Sequence, residues 1–213
     1  MINQLFWDFD GTLFDTYPAM VRAFHLTLMD LNVDEVEIDD HSIYTTMRQQ
    51  SLGTAFDQYG AEFGLNLDQL KTTYYRHEVQ EVAGAKPIAG VAEILQQAID
   101  NGGANYLLTH RNDQAKQLLA DNGFKNQFVD AVTADMPFPR KPKPDSLNYL
   151  IDKHNVDRKA AMMIGDRELD VLAGHNANIA SSLFDPDGLI VQTGDPEIRV
   201  AAMPELKLWL AKS

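Results

Sequence analysis

Two carboxylates one residue apart, Asp8 and Asp10, stop an apolar run that begins at Ile2, and a glycine follows at once in Asp8-Phe9-Asp10-Gly11-Thr12. Acids at such a point can do chemistry, because the carboxyl ends of buried parallel strands open to solvent. Along a strand, residues two apart project to the same side, and Gly11 lets the chain turn away tightly. One acid of such a pair can attack while the other moves protons. Asp and Gly also suit an ordinary solvated turn or a calcium loop, so the pair takes its meaning from the rest of the chain.

Three further places supply that meaning. Leu107-Leu108-Thr109 closes a second short apolar run with a hydroxyl, and Lys141 lies in Arg140-Lys141-Pro142-Lys143-Pro144-Asp145. A third run, Ala160 to Ile164, ends in Gly165-Asp166, with Asp170 four residues later. Four carboxylates brought together could not all stay ionised without a cation, since like charges raise one another's protonation. Oxygen ligands with no Cys and no dense His cluster favour a hard ion, Mg²⁺ above all. Lys141 would add positive charge and Thr109 a hydrogen bond, both directed at the oxygens of a transferring phosphoryl group. The set fits phosphoryl transfer to an aspartate.

These four motifs, in this order, resemble the haloacid dehalogenase-like hydrolase superfamily, and the resemblance spans nearly the whole chain. It implies that Asp8 is the nucleophile that becomes an aspartyl-phosphate, and that Asp10 protonates the leaving alcohol and then activates water. It implies magnesium held by Asp166 with the Asp8 carboxylate and the Asp10 backbone carbonyl. Asp170 either reaches the metal's outer waters, orients Lys141, or is simply a helix N-terminal acid favoured by the dipole. Lys143 competes with Lys141, and the family's Lys-Pro-x-Pro followed by an acid fits Lys141. Thr109 and His110 are the expected phosphate-side residues of the second motif.

Composition is consistent with this reading. The 213 residues contain no cysteine, which excludes disulfides and thiolate metal sites and suits a reducing cytoplasm. A net charge of −13 and a pI near 4.7 argue against a nucleic-acid backbone as partner. A small phosphorylated metabolite would have to be drawn by local charge: the metal, Lys141, and Arg48, Arg111 or Arg167 as further candidates. No apolar run approaches a membrane span, and no basic and apolar leader precedes the first strand, so a cytoplasmic, untargeted protein without membrane partners is expected.

Spacing sets the organisation that must position these residues. Nearly a hundred residues separate Asp10 from Thr109, far more than one crossover of about thirty requires, so an element is inserted there. The insert reads as helical. After the start signal Asp15-Thr16-Tyr17-Pro18, the residues Met20, Val21, Phe24, Leu28 and Leu31 keep helical spacing, as do Leu52, Phe56, Tyr59 and Phe63. Further helices are expected over 40–50 and 67–82. The expected architecture is α/β: a Rossmann-like parallel core of residues 1–15 and 86–213, with an α-helical cap of residues 16–85. Strands are expected at 104–108, 128–133, 160–164 and 179–184, alternating with helices at 91–99, 112–121, 145–154 and 168–176 and a last helix at 204–211.

The resemblance narrows the activity. Dehalogenases of the superfamily lack the second acid, and the sugar-phosphate mutases of β-phosphoglucomutase type carry a His where Met20 stands here. The Asp15-Thr16-Tyr17-Pro18 segment looks more like the phosphoglycolate-phosphatase branch, whereas Thr109-His110-Arg111 and Gly165-Asp166-Arg167 depart from its commonest form. The expectation is a magnesium-dependent phosphatase for a small monoester, with a phosphomutase or a non-catalytic phospho-ligand-binding protein as alternatives. The cap is expected to close as a lid, with Arg48 gripping the substrate's second polar group or else standing as a solvated helix-end cation.

Overall fold

Leu5, Phe6 and Trp7 are buried, so the opening strand β1 (Gln4–Trp7) has no solvent face and belongs at the centre of a sheet. The computed structural model describes residues 1–213. After β1 the chain forms β2 (Phe14–Asp15), then the helices α1 (Tyr17–Asp30), α2 (Asp40–Gln49), α3 (Leu52–Glu62) and α4 (Leu67–Val82). It continues through β3 (Lys86–Pro87), α5 (Val91–Asp100), β4 (Ala104–Leu108), α6 (Gln114–Asp121), β5 (Phe128–Val132) and α7 (Asp145–His154). It ends with β6 (Ala161–Gly165), α8 (Glu168–Asn176), β7 (Ala180–Phe184), β8 (Ile198–Val200) and α9 (Met203–Leu210).

Two units emerge, residues 1–15 with 87–213, and residues 16–86. In the first, six parallel strands lie in the order β5-β4-β1-β6-β7-β8, the α/β core expected from the alternating pattern. The chain leaves β1 for β4 and β5 on one side and then for β6, β7 and β8 on the other. β1 is therefore flanked by the point where the winding reverses, and the crevice beyond its carboxyl end is where such sheets bind ligands. Trp7 is in register with both Leu107 and Ile164, and Leu108 with Val132, so these strands end at one level. Asp8, Thr109 and Asp166 follow those ends directly.

Local chemistry fixes that register. A Cβ on Gly103 would lie 1.8 Å from the Asn3 carbonyl oxygen, so only glycine lets β4 start this close to β1. The buried Asn105 accepts from Trp7 Nε1 at 3.0 Å and donates to the carbonyls of Leu95 and Gln127, both at 3.1 Å. One satisfied polar side chain thus links three segments.

The helical unit has its own aromatic core. Phe24 lies 5.6 Å from Phe56, 5.4 Å from Tyr59 and 5.7 Å from Tyr74 between ring centroids. Asp39, Ser51 and Asn66 cap α2, α3 and α4 through their side chains, and Pro18 sits in the first turn of α1. Tyr74 is buried in this core while Tyr75 is half exposed. The structure adds β8 and the two-residue strands β2 and β3, which the sequence pattern does not announce. It begins α6 at Gln114 instead of 112 and β7 at Ala180 instead of 179. No helix is long and apolar enough to cross a membrane.

Candidate active site

The carboxyl ends of β1 and β6 bring Asp8, Asp166 and Asp170 together, each offering a buried oxygen within 4.8 Å of the others. Asp8 leaves β1 with its backbone N–H donating to Ile164 at 2.9 Å, which holds it level with Gly165. Asp170 approaches from the first turn of α8, and Gly165 makes room for it: a Cβ there would fall 2.2 Å from the Asp170 Cβ. The glycine of Gly165-Asp166 is thus a packing requirement of the site.

Lys141 enters the same cluster from the loop before α7. Its Nζ lies 2.5 Å from Asp8 Oδ1 and 2.6 Å from Asp170 Oδ1, and donates to the Leu108 carbonyl at 3.2 Å. Burial works against the ammonium, but Asp170 and Asp8 outweigh it and hold its pKa above the ordinary lysine value. For the Asp8 carboxyl, burial pushes the pKa up, Lys141 pulls it back, and Asp170 and Asp166 push it further up. Lys141 and Arg167, whose Nε lies 3.8 Å from Asp166 Oδ1, are two cations against three buried carboxylates. Asp8 Oδ2 is buried with no hydrogen-bond partner, a cost that a bound cation would remove. Three converging carboxylates without nitrogen or sulfur donors suit a hard divalent ion. The residues present fit such a group.

Asp170 combines two of the roles weighed for it. While Oδ1 pairs with Lys141, Oδ2 accepts the Arg167 backbone N–H at 3.2 Å in the capping box of α8. Both oxygens are therefore engaged. The arrangement places Asp170 as an anchor for the lysine and the helix together.

The cluster holds three carboxylates, where the sequence suggests four. Asp10 turns its carboxylate to Arg111, whose Nε donates to Oδ1 at 2.9 Å and to Oδ2 at 3.2 Å, with Nη2 2.8 Å from Oδ1. A guanidinium fork satisfies both oxygens of a carboxylate, which a fourth place in a crowded acidic cluster could not do. Arg111, a candidate for drawing the substrate, is in this structure engaged by Asp10. The pair lies 101 residues apart in the chain, and no spacing rule joins them.

Thr109 is buried at the end of β4, where its N–H donates to Val132 at 3.0 Å and its Oγ1 accepts the Arg111 N–H at 3.0 Å. The hydroxyl proton remains to be donated. His110 Nε2 accepts the Lys141 backbone N–H at 2.9 Å, which places the proton of the neutral ring on Nδ1. Burial, then Lys141, Arg167 and Arg140, push its pKa down to about 2. This residue thus braces the lysine loop, a role its sequence position beside Thr109 does not disclose. Lys143 is exposed, and Lys141 is the lysine of the pair that meets Asp8.

Arg48 belongs to the helical unit, in the last turn of α2. It is 2% exposed, so the solvated helix-end cation is not what the structure contains. Its guanidinium carbon lies 5.2 Å from the centroid of the Tyr17 ring.

A family model described as haloacid dehalogenase-like hydrolase matches residues 5–184. A phosphoglycolate phosphatase of Vibrio parahaemolyticus is 26% identical over 190 residues, which covers 84% of this chain and 82% of that protein. A crystal structure of a hydrolase from Streptococcus pneumoniae superposes with a TM-score of 0.65 at 30% identity, over 86% of this chain and 92% of that one. A HAD-hydrolase of Bacillus subtilis, crystallised with magnesium, shares the fold with a TM-score of 0.73 at 19% identity, over 98% of each chain.

Proposed function

The chain belongs to the haloacid dehalogenase-like hydrolases, and from that premise we propose that it is a magnesium-dependent phosphatase acting on a small phosphate monoester through an aspartyl-phosphate at Asp8. One observation carries the reading. At the switch point of the sheet, the buried carboxylate of Asp8 keeps one oxygen without a partner while Lys141 grips the other. A nucleophilic carboxylate needs that arrangement: held in place, partly neutralised and with one oxygen still unpaired.

In the first step an Asp8 oxygen bonds to phosphorus as the ester P–O bond breaks, and the departing alcohol oxygen takes the proton of Asp10. In the second, Asp10 removes a proton from water, the water oxygen bonds to phosphorus, and the bond to Asp8 breaks to release phosphate. Lys141 and the Thr109 hydroxyl face the charge on the phosphoryl oxygens. Mg²⁺ would be held by Asp8, Asp166 and the Asp10 backbone carbonyl, with Asp170 behind them, and when bound it supplies charge neutralisation for the phosphoryl group. Support for the metal comes from the fit of the three carboxylates and from the magnesium in the Bacillus subtilis structure.

The Vibrio parahaemolyticus relative makes 2-phosphoglycolate the first substrate to try, and the Asp15-Thr16-Tyr17-Pro18 segment points the same way. The test is hydrolysis of p-nitrophenyl phosphate and of a panel of phosphorylated metabolites, including 2-phosphoglycolate, with Mg²⁺ and with EDTA. Magnesium-dependent release of phosphate is expected. No turnover of any phosphate monoester with the metal supplied would overturn the reading.

A further inference from the structure

Asp10 is the residue that the proposed reaction asks most of, because it must give a proton in one step and take one in the next. Its backbone is fixed, so the orientation of its partly exposed side chain is what remains to be set. It stands beyond the end of β1 in the Gly11 turn, which is closed by bonds from the Thr12, Leu13 and Phe14 N–H groups to the Phe9 carbonyl and from Gly11 N–H to Phe14, while its side chain is 20% exposed. Carboxylates at such positions sample several rotamers unless something selects one.

We propose that Arg111 is a positioning residue that selects the working orientation of Asp10, an inference that rests on the acid–base role given to Asp10 above. The fork from Nε and Nη2 contacts both carboxylate oxygens, which fixes the plane of the carboxylate as well as its distance. Arg111 is itself held at every polar end. Its side chain is 6% exposed, Nη1 donates to Gln114 Oε1 at 3.1 Å, its N–H donates to Thr109 Oγ1, and its carbonyl accepts from Ala134 at 2.9 Å. A solvated surface pair would have neither that burial nor that bracing. A lysine at the same place would carry the charge without the fork.

The backbone bond from Arg111 to Thr109 matters for the test, because changing the side chain leaves it in place. The phosphate side of the site is therefore retained while the hold on Asp10 is removed. The Asp10 proton is needed when the leaving oxygen is an alkoxide, and hardly at all for p-nitrophenyl phosphate, whose phenolate departs unprotonated. Since kcat/KM covers the steps through formation of the phosphoenzyme, its ratio between the two substrate types isolates the proton transfer.

The experiment measures kcat/KM on p-nitrophenyl phosphate and on 2-phosphoglycolate, or on the best alkyl phosphate of the panel, for the unmodified protein, Asp10→Asn, Arg111→Gln and Arg111→Lys. Asp10→Asn is expected to lose about 10²-fold more on the alkyl ester than on the aryl ester. Arg111→Gln should lose about tenfold more, Arg111→Lys should fall between it and the unmodified protein, and adding Arg111→Gln to Asp10→Asn should bring no further selective loss. If Arg111→Gln does not fold, Arg111→Lys carries the same comparison. Equal losses on both substrates in the Arg111 variants, with a selective loss in Asp10→Asn, would overturn the positioning role alone. Equal losses in Asp10→Asn as well would overturn the acid role with it.

Discussion

The ammonium of Lys141 lies 2.6 Å from one carboxylate oxygen of Asp170, and the other oxygen of that carboxylate accepts the Arg167 N–H that opens α8. A single buried side chain therefore ties the lysine loop to a helix start and sets where the ammonium sits relative to Asp8. Because both partners are buried, removing the Lys141 charge would leave Asp170 uncompensated, whereas removing the Asp170 charge leaves Lys141 paired with Asp8.

Asp170→Asn keeps an acceptor for Arg167 and loses the charge facing Lys141. The variant should fold, with kcat reduced 10- to 100-fold, the usual scale for a residue that orients a catalytic or metal-binding partner. Circular dichroism and steady-state kinetics check this, and an unchanged kcat would remove Asp170 from its anchoring role.

His110 gives a pH dependence with a definite sign. Its folded pKa is pushed down to about 2 from the ordinary histidine value of 6.5, so the unfolded chain binds more protons between those values and stability falls as pH drops below 6.5. His110→Gln has no group to titrate there. Between pH 7.5 and 5, the urea midpoint of the unmodified protein should fall further than that of the variant, and equal falls would contradict the assignment.

Metal binding can be read without activity. Mg²⁺ should stabilise the unmodified protein by about 2.7 kcal/mol at a hundred times its Kd, raising its denaturation midpoint, and should leave the midpoint of Asp166→Asn nearly unmoved. The same rise in both proteins would mean that the ion binds elsewhere on this acidic chain.

The strand ends that carry the site were legible because burial on both faces leaves a plain signal: an apolar run stopped by Asp8, Thr109 or Gly165-Asp166. The helical insert was legible from its spacing. What stayed hidden depends on partners far apart in the chain. Nothing local distinguishes Arg111 as the partner of Asp10, or His110 as the acceptor for Lys141, from ordinary polar residues after a strand. β8 is three residues with an exposed Arg199 at its centre, too short and too mixed to show a period, and its pairing with β7 is what makes it a strand. Whether Arg48 was solvated or packed turned on tertiary contacts that the α2 pattern does not encode.

Arg48 now supports a stability prediction. Buried and stacked over Tyr17, its side chain contributes packing as well as charge, so Arg48→Ala should lower stability by about 1–3 kcal/mol in urea denaturation. A midpoint equal to that of the unmodified protein would contradict the packed role.

The central claim is that phosphoryl transfer passes through Asp8, and it can be tested by catching the phosphoenzyme. Asp10→Asn, in which Asp8 can still displace a good leaving group from phosphorus but water is activated slowly, is mixed with ³²P-labelled p-nitrophenyl phosphate and Mg²⁺ and quenched in acid. The account predicts label on the protein, recovered on the peptide that contains Asp8 and absent when Asp8→Asn is added. Release of p-nitrophenol with no label on the protein, or label on another residue, would contradict it.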